Sequence, residues 1–76
     1  MLITLHFREV RKNVVTRGKP FLINIDHIEV VIPALQYETK HSDIFTSSDP
    51  IEPYLVFESF DEVKTMISGI VGYPIK

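Results

Sequence analysis

Three histidines, a cluster of carboxylates and a run of cations are the residues whose chemistry could give this chain an activity. His6, His27 and His41 would serve a metal if the fold converged them. Metal-binding pairs usually stand two residues apart on a strand or four apart on a helix, and no two of these histidines have either spacing. The sequence therefore predicts no metal and no cofactor. His6 alternates with Thr4 and Arg8 on the polar side of a strand-like segment, so a solvated imidazole is expected there.

Glu58, Asp61 and Glu62 lie as close in sequence as an acid/base pair would. They also fit a helix start. In Ser59-Phe60-Asp61-Glu62 the Ser59 hydroxyl can accept from the Glu62 amide while the Glu62 carboxylate accepts from the Ser59 amide, the reciprocal capping box. Acids beside that end suit the helix dipole, so Ser59 and Glu62 are read as structural caps. No nucleophile accompanies them. Ser68-Gly69 lacks the first glycine of a nucleophile elbow, and Gly69 and Gly72 do not make a phosphate-cradling loop. The chain has no cysteine, which removes thiolate metal sites, thiol nucleophiles and redox pairs. No catalytic residue is predicted, and the protein is not read as an enzyme.

The cations are unevenly placed. Arg8, Arg11, Lys12, Arg17 and Lys19 face a single acid, Glu9, within residues 8–19, although the chain as a whole carries a net charge of −2. Such a segment can grip phosphates, each contact adding a salt-dependent increment to affinity. No aromatic lies among these cations to stack a base, and Phe21 follows in the core parity of a strand. The plainer reading is a solvated loop whose charge keeps a sheet edge from pairing with another chain.

These residues must be positioned by a small frame. Seventy-six residues make one domain, residues 1–76, since so short a chain cannot core two units. At this size only about 60% of the unfolded surface is buried. Without disulfides, tight packing or self-association must supplement the core. The start, Met1 to Phe7, is apolar but alternating and lacks a basic leader, so it does not read as a secretory signal. The longest apolar run, Val30 to Leu35, contains Pro33 and is too short for a bilayer. A cytoplasmic protein is expected.

Ile3, Leu5 and Phe7 alternate with Thr4, His6 and Arg8, the two-residue period of a strand. Glu9 to Lys19 reads as a long connection with a possible short strand at Val14-Val15-Thr16 and a turn at Gly18. Phe21, Ile23 and Ile25 mark a second strand headed by Pro20. The apolar parity then changes near Asp26-His27, which implies a bend or bulge before a third strand, Ile28 to Ile32. Pro33 interrupts it and points to a sheet edge, with Ala34 to Tyr37 continuing after a kink. Ser47-Ser48-Asp49-Pro50 is a turn signal between Ile44-Phe45-Thr46 and Ile51 to Phe57, a hairpin in which Pro53 needs a bulge or free edge. A helix begins after Ser59, with Phe60, Val63, Ile67, Ile70 and Val71 on one stripe and Gly72 and Pro74 ending it.

The fold class is α+β: an antiparallel four- to five-stranded meander sheet with one C-terminal helix packed across one face. One helix covers little, and apolar residues such as Leu2, Leu22, Val31 and Val56 occur on both parities. A second copy of the chain is the expected partner.

Gly18-Lys19-Pro20-Phe21-Leu22-Ile23-Asn24, then Asp26 to Glu29, and above all Tyr54-Leu55-Val56-Phe57-Glu58-Ser59-Phe60-Asp61-Glu62-Val63 resemble the small FlbD-like proteins of flagellar and swarming motility. Those proteins show a short strand, a Gly-Lys turn, a strand ending in Asn, an Ile-Glu pair, a hairpin and a Val-x-Glu-Ser-x-Asp-Glu-Val helix start. The likeness spans about two thirds of the chain. Residues 8–17 form a longer connection than is usual there, and residues 36–53 hold a proline-rich hairpin. The resemblance implies a cytoplasmic accessory protein without known enzymatic activity. The expected function is a non-enzymatic, homo-oligomeric interaction module that also docks an unidentified protein. The alternative is a small nucleic-acid-binding accessory protein using residues 8–19; no membrane partner is expected.

Overall fold

The computed structural model describes residues 1–69. Strands β1 (Leu2–Arg11) and β2 (Val14–Asn24) form a long hairpin. Its two-residue turn, Lys12-Asn13, has φ of 50° and 65°. Two successive left-handed residues give the turn whose twist matches the flanking strands, and Asn tolerates that backbone well. Residues 8–19 are therefore not a loop. Val10 pairs with Val15 and Arg11 with Val14, so the expected short strand is the start of β2, and Pro20 lies inside that strand rather than at its head. The turn was hidden in the sequence because Lys-Asn is a weaker signal than Asn-Gly. Gly18 marks no turn. His6 pairs with Pro20 and Arg8 with Arg17, so Phe7 is opposed by Gly18 and Lys19 together, a β-bulge.

The parity change after β2 is a 3-10 turn at Ile25–His27, capped by the Asn24 side chain, which accepts from the Asp26 amide at 3.0 Å. Strand β3 (Ile28–Pro33) follows, with an irregularity between Ile28 and Val30. Beyond Pro33 the chain does not continue as a strand. A second 3-10 turn, Leu35–Tyr37, lifts it off the sheet, and Glu38 and Thr39 reverse it with φ of 56° and 63°. Strands β4 (Ser42–Thr46) and β5 (Asp49–Val56) form the expected hairpin around Ser47-Ser48. Pairing jumps from Thr46↔Asp49 to Ile44↔Tyr54. Pro50 to Pro53 thus leave the ladder, which places Pro53 where its missing donor does no harm.

The strand order is β2-β1-β5-β4-β3, all neighbours antiparallel. An α+β fold with a five-stranded antiparallel sheet and one helix is thereby established. Strands β2 and β3 are the two edges, and Pro33 ends an edge strand as its chemistry requires. These edges are joined by residues 25–27 alone. Four residue steps reach at most about 14 Å, whereas the outer strands of a flat five-stranded sheet stand about 19 Å apart. The sheet must therefore curl until its edges approach.

Helix α1 (Phe60–Ser68) packs against the resulting concave side, near β3. Its buried residues Val63 and Ile67 join Leu5, Ile23, Ile25, Ile44 and Val56 in one core. The curl covers more of this face than one helix could cover on a flat sheet. Both bonds of the predicted capping box are present: the Glu62 amide donates to Ser59 Oγ at 3.1 Å, and the Ser59 amide to Glu62 Oε1 at 3.2 Å. Gly69 is the C-cap. The expected helical positions Ile70 and Val71, and the stop at Gly72 and Pro74, lie outside the described residues.

Candidate functional site

Two places bring together side chains that can do more than fill space. The first is a polar cluster where β1 meets β5 and β4. Alternation puts His6 and Arg8 on the convex side of β1, opposite Leu5. Glu58, just past β5, is turned back onto β1. Its carboxylate accepts from the His6 backbone amide at 2.9 Å and from His6 Nδ1 at 2.7 Å. Glu58 is 6% exposed. His6 is therefore not a solvated imidazole, and Glu58 is not explained by the helix end alone; it closes the seam between the first and last strands. Ser42 Oγ donates to the Glu58 carbonyl at 2.8 Å, and His41 Nδ1 donates to the Phe57 carbonyl.

Arg8 departs furthest from expectation. Its side chain is 3% exposed; Nη2 donates to Asp43 Oδ1 at 3.0 Å and Nη1 to the Ser42 carbonyl at 3.3 Å. Tyr37 lies 4.9 Å from the guanidinium, ring to cation, in the range of a cation–π contact. The turn at 35–37 supplies this cover. Arg8 thus leaves the solvated cations and becomes part of the frame. Sequence gave no sign of it, because the pairing depends on β5 lying between β1 and β4.

Among the described residues no buried side-chain nitrogen or oxygen lacks a hydrogen-bond partner. His27 meets Ser47 Oγ at 3.2 Å, so the three histidines have three separate partners. No group of three metal-ligating side chains converges among the described residues. Asp61 and Glu62, with Thr65 and Met66, line an open groove on the helix rather than facing Glu58 across a pocket.

The second place is the β1–β2 ribbon. Beyond Phe7↔Val56, the bridge recorded between β1 and β5, the hairpin runs on as two strands, and the molecule reaches 41 Å along its longest axis against 23 and 21 Å across. Arg11, Lys12, Arg17 and Lys19 are exposed along it. Arg11 Nη2 lies 4.0 Å from Glu9, an exposed pair of small energetic weight. At the root of the ribbon Phe7, Phe21 and Tyr54 gather from β1, β2 and β5. Phe7 and Phe21 stack with centroids 4.3 Å apart, and Tyr54 stands 5.7 Å from Phe21 and 6.4 Å from Phe7. Phe7 is 37% exposed and Tyr54 38%. Sequence reading found no aromatic beside the cations; the fold brings three, one from the far end of the chain.

Compared with protein-family models, curated proteins and solved structures, the chain matches none. No helix among the described residues is long and apolar enough to cross a membrane.

Proposed function

We propose that this protein is a non-enzymatic interaction module that associates with itself and docks a protein partner, a cytoplasmic accessory protein of the FlbD-like kind its sequence resembles. One observation carries the reading. Apolar side chains stand in solvent on the convex face of the sheet, away from the core: Leu2, Leu22, Val30, Ile32 and Leu55, each 43–65% exposed. Val30 pairs with Phe45 and Ile32 with Asp43, which in turn pairs with Leu55, so Val30, Ile32 and Phe45 form an apolar area beside the free edge of β3, and Leu55 lies across Asp43 from it. Surfaces of this kind mark sites of association. The saturated polar cluster supports a structural use for Arg8, Glu58 and His6.

Sedimentation velocity over a hundredfold range of concentration tests this. A mass above that of the 8.8 kDa monomer is expected at the upper end, with Leu55→Lys shifting the population to monomer while preserving the circular dichroism spectrum. A folded monomer throughout would end the reading.

A second reading, binding of nucleic acid, is favoured by the form of residues 8–19. A projecting ribbon with four exposed cations holds them at fixed spacing, as a floppy loop would not. A two-stranded ribbon also fits a major groove. Its test is salt-dependent binding to any nucleic acid.

A further inference from the structure

We infer that the ribbon and the aromatic cluster at its root form a binding surface for single-stranded nucleic acid; this rests on the second reading above and names its ligand and site. Phe7 and Phe21 lie on the concave side of their strands by alternation, as Leu5 and Ile23 do. Tyr54 pairs with core residue Ile44 and so shares that side. Lys19, two residues before Phe21, leaves β2 on the same side, and Arg11, four residues beyond Phe7, leaves β1 on it. Lys12 occupies the tip. Glu9 is the acid on this side of the ribbon and sits by Arg11.

The surface therefore offers two partly exposed rings, Phe7 and Tyr54, at one end and three cations leading away from them. A single strand needs this pairing: aromatic surface for unstacked bases and cations that track the phosphates. A duplex keeps its bases stacked on one another and has no use for the rings. The rings are what favour the single strand over the groove of a duplex.

Fluorescence anisotropy with labelled 15-nucleotide oligothymidylate, beside a duplex of the same length, tests the inference on the full chain. Three phosphate contacts predict that affinity for the single strand falls about 20-fold between 50 and 200 mM salt. Lys12→Glu with Lys19→Glu is expected to lower it tenfold or more, and Tyr54→Leu, a substitution at a partly exposed ring, about fivefold or more, with thermal melts confirming that each variant folds. Equal binding of the duplex, with no loss in Tyr54→Leu, would overturn the single-strand assignment and leave the broader nucleic-acid reading standing. Binding of neither probe at 50 mM salt would end both. Binding unaffected by the lysine substitutions would remove the ribbon as the site. A Tyr54→Leu variant that changes the sedimenting mass and not the anisotropy would assign the rings to contact between copies.

Discussion

Arg8 and Asp43 show how little a residue's type says before its neighbours are known. With side chains 3% and 23% exposed, Arg8 and Asp43 form an ion pair largely withdrawn from water, and breaking such a pair costs more than replacing both members. Arg8→Met alone is expected to destabilise the fold by about 3 kcal/mol, since Asp43 is left half-enclosed without its cation. Arg8→Met with Asp43→Leu should return to within about 1 kcal/mol of the parent. Urea unfolding at constant slope measures both, and equal losses in the single and double variants would contradict the argument. Glu58 makes the same point. Its position before Ser59 made it look like a helix-end acid, and only the return of β5 to β1 shows that it serves the His6 amide.

At the scale of elements, local rules were read well where a short segment decides its own structure. The Ser59–Glu62 box, the turn at Ser47-Ser48 and the edge position of Pro33 each depend on a few adjacent residues. Failure came where a weak local signal had to be completed by a distant strand. Residues 8–19 looked like a loop because charge outweighed the alternation around Val10 and Val15. Lys12 is the tell-tale: a residue with φ of 50° that is neither Gly nor Asn costs roughly 1 kcal/mol or more in that region. Lys12→Asn with Asn13→Gly should tighten the ribbon by about 0.5–1 kcal/mol. Amide exchange at Glu9 and Thr16, the second hydrogen-bonded pair from the turn, would slow about threefold or more; unchanged exchange would show that the turn does not limit opening.

For the whole molecule, the fold class was legible and the strand order was not, because alternation reports which residues share a face and never which strand lies alongside. The curl follows from that order and the short link at 25–27. It changes the argument for self-association, moving the uncovered apolar surface from the helix side to the convex side. If copies do cover that surface, the melting temperature must rise with protein concentration, since association stabilises by mass action. A hundredfold concentration series with a constant midpoint would count against it. The candidate ligand surface was the least legible part, as Tyr54 reaches Phe7 and Phe21 only through the completed sheet.

The Phe7↔Val56 bridge joins the first strand of the chain to the end of the last described one. During synthesis the β1–β2 ribbon can form as soon as its own residues emerge, but the flank of β1 around His6 and Phe7 stays unpaired until β5 arrives. Any stalled or clipped product ending before Tyr54 therefore exposes a ready template for foreign strands. Such fragments should clump where the intact chain stays dispersed.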